Sequence, residues 1–399
     1  MNPNVWWIVS LAVVLGHFGL MLGIYNRING FGLSRKLIKR LVKLFFLFTV
    51  LFPPIALAVH FDLVSDLWQG RPEGLPVPTS LLIYSCLCLA AWLVLGIPWL
   101  LWRPVFGLEW IRARREIEVV DVEAATGTSL ARSAKCKVEC RLPLNQIFEL
   151  AIERIELPVV GMPAALDGYR IAHLSDIHLT GDVYPDFSKH VVQRASEWSP
   201  DMMTFAGDII DDQECVGWLT DIFTLTAREK VAPDGCYFVL GNHDTRINDP
   251  NETRQAMIQA GWTDLGGRSM PRHLRGIDCR LIGNEFPWFD RPELSESRDE
   301  AFRLLLSHSP DQLGWARQHN VSLMLAGHTH GGQGRLPLIG PLLSPSFHGS
   351  RYASGDFYKP PTTLHVSRGL AGTHLMRIHC RPELSLLTLR ATQSDGGDT

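Results

Sequence analysis

The stretch Gly327-His328-Thr329-His330-Gly331-Gly332-Gln333 carries most of the information about the fold of this chain. Its two histidines stand one residue apart between glycines, directly after the largely apolar run 321–326. A strand that ends in such a turn brings two imidazoles to one point, and glycines leave room around them. The pattern therefore indicates a buried strand that ends in a pair of functional histidines.

Four further clusters of Asp, Asn and His precede this turn, each after a short apolar run. They are Ser175-Asp176-Ile177-His178, Gly207-Asp208-Ile209-Ile210-Asp211, Gly241-Asn242-His243-Asp244 and Ser307-His308-Ser309-Pro310. Helical patterns near 187–198 and 218–228 separate the first of these strands. Apolar strands that alternate with helices predict a buried, largely parallel sheet. Because ligands of such sheets bind outside the carboxyl ends of the strands, the five clusters are expected to meet on one face.

The residues in these clusters form a candidate metal-ligand set of oxygen and nitrogen donors without a thiolate. Its members are Asp176, His178, Asp208, Asn242, His308, His328 and His330. Such a set suits manganese, iron or zinc better than calcium or a cysteine-rich structural zinc site. Seven ligands are too many for one tetrahedral ion but enough for two divalent ions that share a carboxylate. A pair of ions about 3.5–4 Å apart is the arrangement that clamps attacking and leaving oxygens in phosphoryl transfer.

The ordered motifs Asp-x-His, Gly-Asp-x-x-Asp, Gly-Asn-His-Asp, His and Gly-His-x-His resemble those of the calcineurin-like metallophosphoesterases, over residues 152–389. The flanking words Ser367-Arg368-Gly369-Leu370 and Pro382-Glu383-Leu384 are similar to the membrane-associated bacterial branch of phosphodiesterases, which includes one type of UDP-2,3-diacylglucosamine hydrolase. The resemblance implies a four-layer α/β/β/α sandwich. One departure from the branch is Ala371, where another glycine is usual; it affects the expected shape of the substrate pocket and not the chemistry.

The resemblance also implies a role for each site residue. It assigns Asp176, His178 and His330 to one ion, Asn242, His308 and His328 to the other, and Asp208 to a bridge between them. His243 would face the phosphoryl group or the leaving oxygen, and Asp244 is placed to orient it. Asp211 is either a supporting residue of the site or, with Asp212, a helix cap. The implied reaction is attack of a metal-activated hydroxide on phosphorus, with two divalent ions, manganese first, as cofactors.

The first hundred residues differ from the rest and predict a transmembrane anchor over 1–103. The runs at about 5–25 and 81–102 carry no charged side chain, and each can cross a hydrocarbon core of roughly 30 Å as a helix. A third run, about 44–61, holds Pro53-Pro54, which a spanning helix tolerates; a re-entrant or interfacial segment is the alternative. A cleaved signal peptide is disfavoured because Met1-Asn2-Pro3-Asn4 lacks a positive side chain.

Basic residues set the predicted topology. The first connection between spans contains Arg27, Arg35, Lys36, Lys39, Arg40 and Lys43, whereas the second contains Arg71, Asp62, Asp66 and Glu73. Further arginines start at Arg103. We therefore predict a multi-pass protein of the inner (cytoplasmic) membrane with its N-terminus outside and its catalytic domain in the cytoplasm. If the middle run does not span, Arg103 and all that follows share a side with the N-terminus.

The remaining sequence is divided into a linker with edge elements (104–150), a metallophosphoesterase domain (151–390) and a disordered tail (391–399). The stretches 118–122 and 136–140 alternate apolar and polar residues as edge strands do. The eight cysteines show no disulfide framework, which agrees with a reducing compartment. A net charge of -3 argues against general nucleic-acid binding.

These observations predict a membrane-anchored two-metal phosphoesterase that cleaves a phosphodiester or pyrophosphate of a lipid or nucleotide-sugar lipid, with membrane lipids as further partners. The aromatic group Phe286, Trp288 and Phe289 suits acyl chains. A tethered phosphomonoesterase acting on phosphoproteins or nucleotides is the alternative, and a non-catalytic membrane scaffold is a second. Arg351, Tyr352 and Arg368 are expected either to contact substrate phosphate or to form surface salt bridges.

Overall fold

The computed structural model describes residues 3–71, 77–102, 109–228, 231–294, 301–372 and 374–392. It falls into two compact units, Met1–Leu108 with Phe347–Arg351, and Glu109–Ser346 with Tyr352–Thr399. Glu73, Arg103 and residues 393–399 of the predicted tail lie outside the described residues.

The first unit is helical. Its helices are α1 (Pro3–Ile28), α2 (Arg35–Val59), α3 (Phe61–Trp68), α4 (Thr79–Ala91) and α5 (Ile97–Trp102), with a π-helical turn between the last two (Trp92–Gly96). Three stretches, Asn4–Ile28, Lys36–Val59 and Thr79–Trp102, are long and apolar enough to cross a membrane. The middle one contains both Pro53 and Pro54 and is still one unbroken helix.

Close contacts hold these helices together. The buried ring of His17 lies 2.6 Å from the Tyr84 hydroxyl and 3.0 Å from the carbonyl oxygen of Thr49, so one side chain of α1 bonds to both α4 and α2. A Cβ atom added at Gly16 would lie 2.2 Å from the carbonyl oxygen of Cys88, so only glycine allows α1 and α4 to approach this closely.

The second unit is built on two mixed sheets. The strands of the first are β1 (Arg114–Asp121), β2 (Glu149–Val160), β3 (Arg170–Leu174), β4 (Met202–Ala206), β5 (Cys236–Val239), β6 (Thr263–Asp264) and β15 (Glu383–Thr392), in the order β1-β2-β15-β3-β4-β5-β6. Those of the second are β7 (Ser269–Leu274), β8 (Ile277–Asn284), β9 (Phe302–Ser307), β10 (Leu323–Ala326), β13 (Gly355–Lys359) and β14 (Thr362–Val366), in the order β13-β14-β10-β9-β8-β7. A small hairpin joins β11 (Arg335–Leu336) and β12 (Gly340–Pro341).

Strand pairing is mixed in both sheets: β15 pairs antiparallel with β3 in the middle of the first sheet, and the outer strands β1, β7 and β13 pair antiparallel with their neighbours. Strands β3 to β6 pair in parallel, as do β8, β9, β10 and β14. The carboxyl ends of β3, β4 and β5 therefore lie at one edge of the first sheet, and those of β9 and β10 at one edge of the second.

Helices cover the outer face of each sheet. They are α6 (Val122–Thr126), α7 (Ala134–Glu139), α8 (Asp186–Glu197), α9 (Val216–Arg228), α10 (Pro250–Gln259) and α11 (Leu313–Gln318). Alternate residues of one strand enter different apolar clusters: Leu304 and Leu306 face the first sheet, whereas Leu305 packs with α11. The three apolar clusters separate four layers, so the predicted sandwich of mixed α/β sheets is confirmed.

The elements between 104 and 150 fit the prediction only in part. Residues 118–122 fall largely in β1, an edge strand of the first sheet, as expected. The predicted strand at 136–140 is wrong, because these residues lie in α7 and the turn after it. The Ser133 hydroxyl accepts a hydrogen bond from the Cys136 N–H at 3.1 Å and caps this helix, a local interaction that overrides the alternating pattern.

Candidate metal centre

The turns that carry the predicted ligands share an unusual backbone conformation. Five of the seven residues have a positive φ: Asp176 (54°), His178 (46°), Asp208 (54°), His328 (71°) and His330 (51°). A residue with a Cβ adopts this left-handed region at a cost, and such residues concentrate at functional sites. The strand ends are therefore bent in a way that turns several polar side chains toward a common point.

Four of the predicted ligands form the first group of this centre: Asp176, His178, Asp208 and His330. The Nε2 atoms of His178 and His330 are 3.2 Å apart. Carboxylate oxygens approach the same two nitrogen atoms: Asp208 Oδ2 lies 3.5 Å from His178 Nε2, and Asp176 Oδ1 lies 3.6 Å from His330 Nε2. The structure thus brings together donors from the turns after β3, β4 and β10.

The second group consists of Asp208, His308, His328 and Asn242. His308 Nε2 lies 3.3 Å from Asp208 Oδ2, 3.0 Å from His328 Nδ1 and 3.1 Å from Asn242 Oδ1. Asp208 therefore belongs to both groups. All seven predicted ligands lie in these two adjoining groups.

The donor atoms fit divalent cations. Asp208 Oδ2 is buried and has no hydrogen-bond partner among the described residues, although it lies between the two groups. A buried carboxylate oxygen without a partner is costly, and a bound cation removes that cost.

The hydrogen bonds that orient the histidine rings also favour binding of divalent cations. His178 Nδ1 lies 2.7 Å from Asp211 Oδ2, His308 Nδ1 lies 2.7 Å from the Ala206 carbonyl oxygen, and His330 Nδ1 lies 3.1 Å from the Ala371 carbonyl oxygen. Each Nδ1–H is thereby directed to an oxygen atom, which leaves the Nε2 lone pair facing the group. Metal-binding histidines are oriented by oxygen partners in this way.

Burial keeps the imidazoles of His328 and His330 in the neutral, metal-binding form. It holds the pKa of His328 and the pKa of His330 well below the usual value, because the charged form loses its water, and nearby His308 and His178 respectively add to the effect. Burial opposes ionisation of Asp208 as well, but His308 and His243 outweigh it and hold the pKa of this carboxyl well below its usual range. Neutral imidazoles beside an ionised carboxylate are the forms that bind a divalent cation.

His243 lies beside the first group, but its partner differs from the predicted one. Its Nδ1 atom is 2.5 Å from Asp211 Oδ1, so Asp211, and not Asp244, orients the ring. Asp211 contacts His178 through its other oxygen and is thus a supporting residue of the site. The helix-cap alternative applies instead to Asp212, which accepts a hydrogen bond from the Glu214 N–H.

Asp244 supports the backbone. Its fully buried carboxylate accepts hydrogen bonds from the N–H groups of Asp208, Ile209, Ile210 and Gly241 at 2.7–3.0 Å. Burial and the nearby Asp208 charge raise its pKa to about 7. Asp244 therefore ties the turn after β4 to the turn after β5.

Sequence reasoning missed Arg246. Its Nη1 atom donates to Asp211 Oδ1 at 2.5 Å, and its Nη2 atom lies 2.8 Å from His243 Nε2. The spacing Gly-Asn-His-Asp-x-Arg could have indicated it, since the side chain three residues after His243 returns to the same side of a helical turn. Its guanidinium places a positive charge at the partly exposed edge of the centre.

The three residues suggested as phosphate contacts have other partners. Arg368 forms buried ion pairs with Glu153 at 2.5 Å and Glu383 at 3.1 Å. The Tyr352 hydroxyl lies 2.6 Å from a carboxylate oxygen of Glu109. Arg351, in the helical unit, lies over the ring of Trp102. Of the two alternatives for Arg368, substrate contact or a surface salt bridge, the structure shows an ion pair, but this ion pair is buried.

The aromatic stretch reaches the centre through Trp288. Its ring centroid is 5.4 Å from that of His308 and 5.0 Å from that of His328. Phe286 is 38% exposed, and the guanidinium of Arg291 lies over its ring. One side of the second ligand group is therefore aromatic.

Comparison with known proteins identifies the family. The family described as "Calcineurin-like phosphoesterase" matches residues 169–332. The uncharacterized metallophosphoesterase YkuE of Bacillus subtilis (strain 168) is 32% identical over 240 residues, which are 58% of this chain and 82% of the relative. The chain belongs to the calcineurin-like phosphoesterase family. The resemblance predicted from the five motifs is confirmed.

Two other relatives of this metallophosphoesterase have names that state an activity. Phosphodiesterase YaeI of Escherichia coli (strain K12) is 27% identical over 226 residues, 55% of this chain and 82% of the relative. UDP-2,3-diacylglucosamine pyrophosphatase LpxG of Chlamydia muridarum (strain MoPn / Nigg) is 24% identical over 300 residues, 60% of this chain and 88% of the relative. The chain is accordingly a metal-dependent hydrolase of phosphoric esters.

Proposed function

We propose that this chain is a membrane-anchored two-metal phosphoesterase that hydrolyses a phosphodiester or pyrophosphate bond in a lipid or nucleotide-sugar lipid. The observation that carries the two-metal part is the buried, unpartnered Oδ2 atom of Asp208 between two groups of ligands, within the described part of the chain.

The ligand assignment follows from the two groups. Asp176, His178 and His330 would hold one ion, Asn242, His308 and His328 the other, and Asp208 both. Divalent ions of this kind, manganese first, supply positive charge at the phosphoryl oxygens and lower the pKa of water toward about 7. Burial keeps His328 and His330 neutral. Burial also opposes ionisation of His308, but the nearby Asp208 charge outweighs it and raises the pKa of this imidazole to about 9, so an ion that binds there would displace a proton.

His243 is the proposed proton donor to the leaving oxygen. Because Asp211 engages its Nδ1 atom, Nε2 is the atom available to substrate. In the structure Arg246 Nη2 donates to this Nε2 atom at 2.8 Å. The guanidinium would have to move from Nε2 to a phosphoryl oxygen, and the ring to take up a proton at Nε2, before His243 can give that proton to the leaving oxygen.

The proposed membrane location rests on the three helices of spanning length and on the basic first connection. In this proposal the catalytic unit lies on the cytoplasmic side of the inner membrane, next to lipid-linked substrates in the bilayer. The relative named as a UDP-2,3-diacylglucosamine pyrophosphatase supports a nucleotide-sugar lipid as the substrate class. A reporter fused after Thr399 tests the orientation, because an external signal contradicts a cytoplasmic catalytic unit.

A substrate panel tests the activity. Full-length protein in detergent with Mn²⁺ is expected to hydrolyse bis(p-nitrophenyl) phosphate and a UDP-linked acylated sugar, and p-nitrophenyl phosphate at least about tenfold less well. Asp208→Asn keeps the shape but removes the bridging charge, so we expect both metal binding by calorimetry and turnover to be lost. An Asp208→Asn protein with full activity, or a wild-type protein active only on the monoester, contradicts the proposal.

A further inference from the structure

The hairpin that follows the His328–His330 turn exposes an apolar tip. Four consecutive residues at its end, Leu336-Pro337-Leu338-Ile339, are exposed, and Leu338 is 96% exposed. Leu343, just beyond β12, is 50% exposed, and residues 336–345 contain no charged side chain. Single aliphatic side chains on a surface are ordinary, but a run of four marks an interaction site.

The base of the hairpin is attached to the metal centre. A Cβ atom added at Gly332 would lie 2.3 Å from Cβ of Pro341, so β12 packs directly against the turn that carries His330. On the other side, the Arg335 N–H donates to the Ile378 carbonyl oxygen at 3.0 Å. The apolar tip therefore has a defined place relative to the metal ligands.

Two more exposed apolar side chains belong to the segments paired at this base. Ile378 forms bridges with both Gly334 and Asn145. Met376, two residues before Ile378, is 43% exposed, and Leu144, next to Asn145, is 65% exposed. With the hairpin tip they form an apolar rim, defined here as Leu144, Leu336, Leu338, Ile339, Leu343 and Met376.

The chain itself indicates what covers this rim. Three of its helices have the length and composition of membrane spans, and Phe347–Arg351, the segment that follows the hairpin, belongs to the helical unit. A short aliphatic loop with no charge to desolvate partitions into the boundary between head groups and acyl chains. A bilayer that the helices already occupy is therefore the partner that fits.

We propose that the tip 336–339 inserts into the lipid surface next to the metal centre, so that the enzyme takes substrates whose apolar part remains in the bilayer. This inference rests on the proposed membrane anchoring and deepens the proposed phosphoesterase activity. It defines the substrate class as amphiphilic phosphoesters with membrane-embedded chains. In this proposal the inserted tip brings the metal centre close to the phosphoester groups of such lipids.

Photo-crosslinking tests the insertion without any reference to activity. Full-length protein with p-benzoylphenylalanine in place of Leu338 is reconstituted into phosphatidylcholine–phosphatidylglycerol vesicles and irradiated. Ile258, an aliphatic residue of α10 that is 43% exposed, receives the same probe as the matched control. Lipid adducts at position 338 and not at 258 support the proposal. Protein dimers at 338, or equal lipid labelling at both positions, overturn it.

Kinetics test the consequence for substrates. The double variant Leu338→Gln/Ile339→Gln is assayed on methyl p-nitrophenyl phosphate in solution and on hexadecyl p-nitrophenyl phosphate in the same vesicles. We expect kcat/KM to fall about tenfold or more on the hexadecyl ester, the effect of removing a buried leucine side chain, and to stay within about twofold on the methyl ester.

The control Ile258→Gln should leave both substrates unchanged. A double variant that loses neither rate, or loses both equally, overturns the delivery role. If the wild-type protein cleaves neither ester, the phosphoesterase proposal fails, whereas the crosslinking result still decides whether the tip meets lipid.

Discussion

The substitution Gly369→Ala tests whether the loop 367–371 positions Asp176. The N–H of Ala371 donates to the Asp176 carbonyl oxygen at 2.7 Å, and that of Leu370 donates to the Ser175 carbonyl oxygen at 3.0 Å. Gly369 has a φ of +69°, and a Cβ atom added there would lie 2.6 Å from Cβ of Asp176. The loop thus lies directly on a predicted metal ligand.

The expected size of the effect has two parts. Holding alanine at this φ costs roughly 1–2 kcal/mol of stability. Carbon atoms need about 3.5–4.0 Å, so Asp176 and the loop must separate by about 1 Å to admit the new methyl group. A displacement of about 1 Å at a reacting centre can cost about a hundredfold in rate.

Gly276→Ala provides a matched control. Gly276, in the turn between β7 and β8, has a φ of +84° and no heavy atom within 4 Å of the added Cβ. Both variants should lower the melting temperature, but only Gly369→Ala should weaken Mn²⁺ binding in calorimetry and hydrolysis of bis(p-nitrophenyl) phosphate. Equal metal affinity and rate in the two variants would refute the positioning argument.

Three further predictions concern single side chains. His243→Gln should retain metal binding and lose about 10²–10⁴ in kcat with an alkyl leaving group but much less with p-nitrophenolate; an equal loss argues against a proton donor. Arg246→Met should raise KM for a UDP-linked pyrophosphate about tenfold or more with a smaller change in kcat, because it removes charged hydrogen bonds at the open edge; an unchanged KM contradicts this. Burial opposes ionisation of Glu383, but Arg368, His365 and Arg115 outweigh it and lower the pKa of this carboxyl to about 2. The contribution of the ionised Glu383 to stability is therefore complete above pH about 4.5 and is lost as the pH falls from there toward 2. The melting temperatures of wild type and Glu383→Gln should converge over that interval. Melting temperatures that stay equally far apart as the pH falls would contradict the assignment.

The strands could be predicted because buried parallel strands have a strong local signature. The run 323–326 is apolar throughout, the run 202–206 is apolar except for Thr204, and both lie inside the sandwich, where both faces of a strand meet hydrophobic neighbours. The predicted strand at 136–140 was wrong because its local signature is weak. An alternating pattern of five residues is too short to separate a strand from a capped helical turn, and the Ser133 cap decides between them.

The ligands could be predicted because motif order and strand-end position agree, whereas the supporting contacts could not. Asp244 stands next to His243 in the sequence, yet the ring bonds to Asp211, which lies in the turn after a different strand. Asp208, three residues before Asp211, has a left-handed backbone conformation, and the contact between two separate turns is set by the fold and not by the local sequence. Arg246 and the apolar hairpin tip were missed for a similar reason, since their surroundings are set by the folded chain.

The carboxylates of the centre connect the turns to one another as well as facing the ligand groups. Asp176 accepts the N–H of His328 at 3.0 Å, and Asp208 Oδ1 accepts the N–H of His243 at 2.7 Å. Together with the four bonds to Asp244, these join the turn after β3 to that after β10, and the turn after β4 to that after β5, by protein contacts alone. Backbone strain at five ligands persists because neighbouring turns hold it in place. Removal of the whole Asp208 side chain would therefore change charge and backbone together. Gly369→Ala moves one ligand and leaves every carboxylate present, so its comparison with Gly276→Ala isolates the effect of ligand position.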